Sequence, residues 1–570
     1  MNEKVIKVLK KLSELLLLKG ENPFKARAYS NAAEIIKTQN IDIEKAVHDN
    51  ALGSIKGFGK ALQEKITDYV LNGEMQYYKK LISEIPPGLI QISKISNIGP
   101  KKARILFYDN GITDIDQLEE AARNGILVNI KGFGGKTAEE ILNSVLHRKA
   151  NRGRFLMHQS LDESQNIMKA ISSISSVTNC SLTDKNRRFS ETINNLNFIV
   201  ATNNVKILTE NLKNEFYPEL KNDFITGRTS SDIPLSIVVS SDDEYILKLH
   251  ETTGSKNYIN EFNKSIPKSG YRLDNYKIYK DNIEIKLESE KELYKLIDLQ
   301  YVEPELRERP EILIKAKNHT IPELIKADDL RGMIHVHSNW SDGVNSIKDM
   351  AIAAKQLGFS YIVICDHSRT ASYAGGLTID SIAEQHKEID MLNNTGLGIN
   401  ILKGIESDIL LDGSLDYPED ILYTFDIVVA SVHSHFKMSK QEMTKRITYA
   451  LMSPFTTMLG HPTGRLLLAR EEYPIDIDEI IKAAADNDKI IEINCNPYRF
   501  DLSWENAMKA KDMGVQISIN PDSHNTSTMK EVFFGVRTAR KAGLTKNDVV
   551  NCLDYYDFVN NIVNKYKVSL

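Results

Sequence analysis

Cysteine is scarce in this sequence, and long apolar runs are missing. The 570 residues contain four cysteines, which lie far apart and form no C-x-x-C pair, so neither a disulfide scaffold nor a zinc finger is indicated. No run of 18 apolar residues occurs, and the leucines at 15–18 stand in a Lys-rich amphipathic stretch without a cleavage-site pattern. We therefore predict neither a membrane span nor a signal peptide, and expect a cytoplasmic protein without a membrane partner.

The chain also lacks a strong excess of positive or negative charge, but its charged residues are unevenly distributed. Residues 1–150 hold 23 Lys and Arg against 18 Asp and Glu, residues 151–330 hold 25 against 28, and residues 331–570 hold 24 against 31. The front of the chain is therefore the candidate for a polyanion and the back is the candidate for cations. A chain of this length predicts about three or four domains.

Three segments in the first third repeat one pattern: "IKGFGKALQEKI" at 55–66, "ISNIGPKKARIL" at 95–106 and "IKGFGGKTAEEI" at 130–141. Each has an apolar residue, a glycine turn and a lysine-bearing helix start, which lets backbone N–H groups approach an anion. The pattern resembles the helix-hairpin-helix motif, which binds DNA phosphates without reading sequence. One copy could be an ordinary helix turn, but three favour DNA binding. The predicted contact residues are Gly57, Gly59, Lys60, Gly99, Lys101, Lys102, Gly132, Gly134 and Lys136.

Ahead of the repeats stands "NPFKARAYSNAA" at 22–33. With the first repeat, it resembles the small N-terminal domain of family X DNA polymerases over roughly residues 1–85. The resemblance implies that Lys65 is a candidate nucleophile for the sugar of an abasic site. A lysine nucleophile needs a depressed pKa, and Lys56 and Lys60 lie nearby in the sequence. The alternative is that Lys65 only touches phosphate.

The middle of the chain resembles the palm of the same family but departs from it at the catalytic positions. "DKNRRFSETINNLNFIV" at 184–200 keeps the arginine pair and the apolar strand. The resemblance places Asn195, Asn197 and Pro234 where the family has carboxylates that hold two Mg²⁺ ions. Amides and a proline cannot supply that charge, so the resemblance implies a retained frame with a lost polymerase centre. Asp232, expected on the face of Pro234, is the residue that could partly rescue it. The implied nucleotide-side residues are Arg187, Arg188, Gly254, Ser255 and Lys256.

"MIHVHSNWSDG" at 333–343 opens a series of apolar runs of strand length. Six more runs follow, each ending in polar residues and separated by helix-like segments, which predicts parallel βα units closing into a barrel. Active sites of such barrels lie at the carboxyl ends of the strands. Eight of the thirteen histidines lie between 335 and 524, and six of them are at predicted strand ends.

This arrangement resembles the PHP (polymerase and histidinol phosphatase) domain over residues 331–570. The implied catalytic metal ligands are His335, His337, Asp342, His367, Glu406, His433, His461, Asp522 and His524. Nine ligands suit two or three divalent ions bridged by Glu406, with Mn²⁺ favoured and Zn²⁺ or Fe²⁺ as alternatives. Such ions activate water and stabilise the charge of a phosphoryl transition state, which fits phosphoester hydrolysis. Arg465 and Arg499 are candidate phosphate clamps.

The parts together resemble the bacterial PolX architecture. The predicted fold is multidomain, with a helical hairpin region, a nucleotidyltransferase-like palm and a distorted (β/α)7 PHP barrel. The expected domains are 1–85 (lyase-like, DNA-binding), 86–150 (second and third hairpins, fingers-like), 151–310 (degenerate palm and thumb), 311–330 (linker) and 331–570 (PHP). We expect a monomeric repair enzyme with metal-dependent 3′-to-5′ exonuclease activity on gapped, nicked or abasic duplex and an inactive polymerase centre. An active polymerase and a phosphatase of the histidinol-phosphatase type are the alternatives.

Overall fold

A computed structural model describes residues 1–38, 41–95, 97–216, 218–221, 224–229 and 231–568. Ser96, in the second glycine repeat, lies outside the described residues. The chain divides into two compact units, Met1–Arg152 and Gly153–Leu570. Among the helices that are described, none combines the length and the apolar character needed to cross a membrane.

The first unit is helical. It begins with α1, an amphipathic helix whose Val5, Leu9, Leu12 and Leu16 repeat every three or four residues and are fully buried, as expected for a helix that packs one face on a core. The chain leaves α1 at Gly20, whose left-handed backbone (φ 86°) forms the cap. The helices of this unit are α1 Asn2–Lys19, α2 Pro23–Thr38, α3 Ile43–His48, α4 Lys60–Asn72, α5 Gln76–Ser83, α6 Pro87–Ser93, α7 Pro100–Arg104, α8 Ile115–Arg123 and α9 Gly135–Ala150.

The second unit begins with a polymerase-like part. Its five-stranded sheet has the order β2-β4-β7-β6-β5, and a three-stranded antiparallel sheet has the order β10-β9-β8. The strands are β1 Phe155–Leu156, β2 Val177–Leu182, β3 Thr192–Ile193, β4 Leu196–Thr202, β5 Glu219–Lys221, β6 Phe224–Arg228, β7 Pro234–Ser240, β8 Arg272–Asp274, β9 Lys277–Lys280 and β10 Ile283–Ile285. The helices are α10 Met157–Ser172, α11 Asp184–Arg187, α12 Val205–Phe216, α13 Asp242–Thr253, α14 Lys256–Asn263, α15 Ser265–Lys268, α16 Glu290–Leu296 and α17 Ile312–Lys317.

Seven parallel strands then follow in sequence order, β11 to β17, in one sheet. A bridge between Val336 and Ser523 brings the first and last strands together, and the N–H of His337 donates to the carbonyl of Ser523 at 2.9 Å. The predicted fold class, including the seven-stranded barrel, is confirmed. The strands are β11 Gly332–Val336, β12 Tyr361–Ile364, β13 Asn400–Asp408, β14 Ile427–Ser431, β15 Met458–Leu459, β16 Ile490–Asn494 and β17 Ile517–Asn520.

The barrel strands are largely apolar, as expected for strands that are covered by helices. Every residue of β11, β14, β16 and β17 is buried, as parallel strands in such folds require. Polar side chains are therefore concentrated at the carboxyl ends of the strands. The covering helices are α18 Ile347–Gln356, α19 Ile379–Asn393, α20 Glu419–Leu422, α21 Lys440–Met452, α22 Ile477–Asp486, α23 Trp504–Asp512 and α24 Val532–Lys541, followed by α25 Tyr555–Phe558 and α26 Asn564–Val568.

Candidate functional site

The first strand of the barrel brings two histidines to its carboxyl end. β11 contains a register irregularity between Met333 and Val336, and His335 has a left-handed backbone with φ 57°. The two imidazoles converge through this bulge rather than through simple strand alternation. Their Nε2 atoms lie 3.8 Å (His335) and 3.2 Å (His337) from the same oxygen, Oδ1 of Asp522.

Glu406, near the end of β13, lies at the centre of the cluster. Its carboxylate is buried and is approached by five histidines at the ends of the four strands β11, β12, β14 and β15. The imidazole nitrogens lie 3.4 Å (His335), 3.6 Å (His337), 2.9 Å (His367), 3.2 Å (His433) and 2.9 Å (His461) from its oxygens. One carboxylate thus contacts five candidate ligands, as a bridging group would.

The remaining candidates form the outer part of the cluster. Oδ1 of Asp342 lies 3.2 Å from Nε2 of His524 and 3.7 Å from Nε2 of His367. The rings of His337 and His524 stack with centroids 4.1 Å apart. The structure therefore brings all nine predicted ligand residues together. Three groups of donors lie close enough to share an ion: His337, Asp342, His367 and His524; His335, His337 and Asp522; and His367, Glu406 and His433.

Buried polar atoms in this cluster fit divalent cations. Among the described residues, Nε2 of His335, both ring nitrogens of His337 and Oε2 of Glu406 have no hydrogen-bond partner, a costly state for buried groups unless another ligand satisfies them. Burial, reinforced by His524 and His367, lowers the pKa of His337 to about 3, so its imidazole is neutral and able to ligate. Burial alone would raise the pKa of Glu406, but His433 and His335 hold it well below its usual value. Imidazoles that have released their protons and charged carboxylates are the donors that such ions use.

Three carboxylates that the sequence patterns did not single out support the cluster. Oε1 of Glu492 lies 2.6 Å from Nδ1 of His335, and Oε2 accepts the backbone N–H of His461 at 2.7 Å. Asp408 contacts Nδ1 of His433, and Asp366 accepts the N–H of Ser338 at 2.8 Å. Glu492 and Asp408 thus orient candidate ligands directly, and Asp366 orients Ser338, the residue after the ligand His337. Their signal was a charged residue inside or just after an apolar strand, as in "IIEIN", "GIESD" and "ICDHS".

The two candidate phosphate clamps differ. The guanidinium of Arg465 is occupied: it donates to Glu191 at 2.5 Å, to the carbonyl of Arg499 at 3.0 Å and to the carbonyl of Phe500. With its side chain only 12% exposed, Arg465 is not open to a phosphate, which corrects the prediction for it. Arg499 is half-buried. Burial raises the pKa of Tyr373 to about 12, and the charge of Arg499 opposes this shift. The ring of Tyr373 lies 6.2 Å from that of His367.

The polymerase-like part places the three substituted positions at one end of two adjacent strands. β4 and β7 are parallel, with Leu196 opposite Leu235, so Asn195 and Pro234 lie at the same end of the two strands. The Asn195 amide donates to Asn197 at 2.6 Å, and the Asn197 amide donates to Asp184 at 3.3 Å.

Asp232 does not lie on that strand, contrary to the expectation. It stands in a turn with φ 62°, and its carboxylate is 83% exposed and paired with Arg228 at 2.9 Å. Because of this left-handed turn, Asp232 does not continue the strand, so the alternation of side chains along β7 does not place it on the face of Pro234. The carboxylate that reaches the asparagines is that of Asp184, and it also pairs with Arg188 at 3.0 Å.

The predicted nucleotide-side residues are largely engaged inside the domain. Arg187 contacts Glu290 at 2.6 Å and donates to Thr253 at 2.7 Å, while Arg188 contacts Glu308 at 3.0 Å. The hydroxyl of Ser255 caps α14 and donates to the carbonyl of Glu308 at 2.8 Å. A side chain at Gly254 would clash with Tyr258 and Ile259. Lys256 alone is exposed among these predicted residues.

The three glycine repeats adopt the same turn. The N–H of Phe58, Ile98 and Phe133 donates to the carbonyl three residues earlier at 3.0–3.1 Å in each copy. The residue directly before this N–H donor is left-handed in all three: Gly57 (96°), Asn97 (67°) and Gly132 (95°). The second helix of each repeat begins at a glycine N-cap, Gly59, Gly99 or Gly134, with no side-chain cap. The first N–H groups of these helices are therefore available to an anion, next to the exposed Lys60, Lys101 and Lys136 and the half-buried Lys102.

Lys65, the candidate lyase nucleophile, lies on α4 against aromatic rings. Its Nζ is 4.6 Å from the ring centre of Tyr77 and 6.0 Å from that of Tyr29, and it donates to the carbonyl of Ala61. Burial lowers its pKa; Glu64 opposes the shift and Lys25 adds to it. The direction is the one that a lysine nucleophile needs.

The geometry and fold define a class: a DNA polymerase beta-like protein with helix-hairpin-helix segments and a C-terminal PHP barrel. Family models match a helix-hairpin-helix domain at 1–75, a SAM-like helix-hairpin-helix tandem at 89–145, a DNA polymerase beta thumb at 248–308 and a PHP domain at 334–496. The hairpin and thumb segments imply DNA binding.

Similarity to curated proteins extends over the whole chain. It is 33% identical over 563 residues, 97% of its length and 98% of the relative's, to the "DNA polymerase/3'-5' exonuclease PolX" of Bacillus subtilis (strain 168). The chain belongs to the PolX family. The chain is also similar to a probable phosphatase of Thermoanaerobacter sp. (strain X514), to which it is 37% identical over 164 residues, 27% of this chain and 64% of that protein.

Proposed function

We propose that this chain is a metal-dependent 3′-to-5′ exodeoxyribonuclease of DNA repair whose polymerase centre does not transfer nucleotides. The observation that carries the proposal is the cluster of nine imidazole and carboxylate side chains around Glu406, within a PolX chain. Similarity to a relative named as both polymerase and 3'-5' exonuclease supports it. The similarity to a probable phosphatase covers 27% of the chain, and a phosphatase role alone would leave the hairpins unexplained.

The nine side chains would hold two or three divalent ions. When bound, these ions supply an activated water and stabilise the charge that develops on the scissile phosphate. Mixed imidazole and carboxylate donors favour Mn²⁺, with Zn²⁺ or Fe²⁺ as alternatives. Glu492 and Asp408 fix the Nδ1 sides of His335 and His433, so that both Nε2 atoms face Glu406. Arg499, beside the cluster, is proposed to contact a substrate phosphate.

The polymerase centre is proposed to be inactive because its charge is missing. Asn195, Asn197 and Pro234 offer no carboxylate, and the nearby Asp184 is shared between Asn197 and Arg188. Two Mg²⁺ ions placed there would be poorly coordinated, and losing several kcal/mol of charge stabilisation costs several decades of rate. The residues of the "TGSK" segment are left with weak nucleotide binding at most.

DNA is proposed to be held by the three hairpins without sequence preference, as gapped, nicked or abasic duplex. The glycine-capped helix starts and the lysines beside them support phosphate contact. We further propose the domain limits 1–85, 86–150, 151–310, 311–330 and 331–570, a monomer as the working state and a cytoplasmic location.

Metal-titrated digestion tests the proposal. Duplexes labelled at either end, intact, gapped or containing an abasic site, are incubated with the metal-stripped protein and increasing Mn²⁺. We expect stepwise shortening from the 3′ end that depends on Mn²⁺ and is fastest on the gapped duplex. Absence of cleavage on every duplex at saturating Mn²⁺, Zn²⁺ and Fe²⁺ would reject the nuclease.

A further inference from the structure

A short segment of the polymerase-like part, residues 188–191, docks on the PHP barrel. Phe189 is buried and left-handed (φ 53°), and its ring lies 6.2 Å from that of Phe500 and 6.4 Å from that of Phe534, both barrel residues. Aromatic contacts at this spacing are favourable. The segment that follows the family's arginine pair thus contacts the barrel instead of facing a nucleotide.

Two ion pairs flank Phe189 and reach the barrel. Glu191 contacts Nη2 of Arg465 at 2.5 Å, with the two side chains 21% and 12% exposed. Arg188 contacts Glu308 at 3.0 Å, and Glu308 contacts Lys541 of α24, whose Nζ also donates to the carbonyl of Arg188 at 3.1 Å. Pairs this buried tie two surfaces together, because removing one partner leaves an uncompensated charge.

Arg465 connects this contact to the metal centre. It ends the turn that begins at His461, where the N–H of Gly464 donates to the carbonyl of His461 at 3.1 Å. Its guanidinium also holds the carbonyls of Arg499 and Phe500. One residue further, the carboxylate of Asp501 accepts the N–H of Thr463 at 3.0 and 3.2 Å. The segments 461–465 and 499–501 therefore form one unit around Arg465.

That unit continues to a second candidate ligand. Asp501 pairs through its backbone with Asn494, and the amide of Asn494 donates to Oδ2 of Asp522 at 2.9 Å. Arg465 thus lies behind His461 on one side and behind Asp522 on the other. Among the described residues, Glu191 supplies the only carboxylate oxygen that lies within 2.5 Å of the Arg465 guanidinium. Glu191 belongs to the polymerase-like part.

We propose that Glu191 is a positioning residue of the metal centre, acting on His461 and Asp522 through Arg465. The inference rests on the proposed nuclease function and adds a role for the polymerase-like part: it holds the barrel in its ligating geometry. Without the Glu191 charge, the guanidinium of Arg465 would move towards other acceptors, and both segments that it joins would shift. Displacements of about 1 Å around a catalytic cluster cost on the order of 100-fold in rate.

The test compares full-length Glu191→Gln with wild type. Mn²⁺ affinity is measured by titration calorimetry on metal-stripped protein, and kcat and KM are measured on gapped duplex. Loss of support behind a ligand lowers metal affinity or activity about 10- to 100-fold. We expect a loss of that size in Mn²⁺ affinity or kcat, with KM for the duplex unchanged, because Glu191 is paired with Arg465 and acts, in this proposal, on the metal ligands and not on the duplex.

Glu472→Gln is the matched control. Its carboxylate lies 4.0 Å from Nη1 of the same Arg465 but is 43% exposed, so its loss should leave Mn²⁺ affinity and kcat unchanged. Arg465→Lys keeps the charge and loses the forked donor, and it serves as the test if Glu191→Gln does not fold. If Glu191 acts through Arg465, adding Glu191→Gln to Arg465→Lys should cause no further loss.

Two results would overturn the positioning role. One is a folded Glu191→Gln protein with wild-type Mn²⁺ affinity and kcat, and the other is a change confined to KM. Failure of the nuclease proposal is distinguishable, since wild-type protein would then bind Mn²⁺ without cutting DNA. The Mn²⁺ affinity of the variant would still decide whether Glu191 supports the cluster.

Discussion

The barrel and the polymerase-like domain each bring polar side chains to one end of their strands, and these two groups of side chains differ in charge. In the barrel, nine imidazoles and carboxylates converge on one another, and several of their buried atoms find no hydrogen-bond partner in the part of the chain that the structure describes. In the polymerase-like domain, two asparagines bond to each other beside a proline, and Asp184 is paired with Arg188. Both domains have buried apolar cores. An apolar core therefore does not distinguish the two domains, whereas the charges at their strand ends do.

The largest expected effect comes from removing the ligands of the charged centre. His335→Ala with His337→Ala takes two imidazoles from the cluster, and we expect DNA hydrolysis to fall at least about a thousandfold, since several kcal/mol of charge stabilisation is lost. Bound Mn²⁺, measured by elemental analysis, should fall in parallel. The far-UV circular dichroism spectrum, which includes the helices of the first unit, should be unchanged. Wild-type metal content and nuclease activity in this variant would contradict the assignment of the centre.

Lys65 is the candidate nucleophile for a second reaction, at the sugar of an abasic site. We expect borohydride to trap a covalent complex between the chain and an abasic-site duplex, because the lowered pKa leaves more of the amine neutral. Lys65→Ala should abolish trapping. The exposed Lys37 of α2 is the control, and Lys37→Ala should trap as wild type does. Equal trapping by both variants would assign the reaction to another amine.

The hairpins should show a graded electrostatic effect. Replacing Lys60, Lys101 and Lys136 with alanine removes three phosphate contacts, so the plot of log affinity against log salt should become shallower by about 2.7, at about 0.9 for each contact. Fluorescence anisotropy with EDTA present measures binding without cleavage. Replacing Lys440, Lys482 and Lys509, barrel lysines paired with carboxylates, removes the same charge and should leave the slope unchanged. Equal slopes for the two triple variants would place the DNA elsewhere.

The smallest expected effect concerns the buried charges of the polymerase-like domain. Burial lowers the pKa of His250 to about 4, against the opposing effect of Glu290. Between that value and about 6.5 the unfolded chain binds a proton that the folded chain does not, so stability falls as the pH falls. We expect the opening free energy of α13 to drop by about 2 kcal/mol from pH 7 to pH 5. Hydrogen exchange, corrected for its intrinsic pH dependence, measures this, and an undiminished drop in His250→Gln would assign it to another group.

Local patterns in the sequence predicted most of the barrel. Seven apolar runs ending in polar residues correspond to β11 to β17, and the nine ligands implied by the resemblance to the PHP domain lie in one cluster, because strand ends of a parallel barrel meet at one face. The patterns could not predict the bulge at His335, which is a backbone feature. They also missed the pairing of Arg465 with Glu191, which are 274 residues apart. Arg465 therefore looked like a free phosphate donor, since nothing in the neighbouring sequence indicates a distant partner.

The contrast between a charged and an uncharged centre is tested most directly by one assay. A gapped duplex with a labelled primer is incubated with Mn²⁺ or Mg²⁺ and all four dNTPs, using wild type and the His335→Ala, His337→Ala variant. We predict that wild type shortens the primer and that the variant neither shortens nor extends it. The variant is needed because degradation would hide slow synthesis. Template-directed extension by the variant would contradict the account, since the polymerase centre would then work without the family's carboxylates.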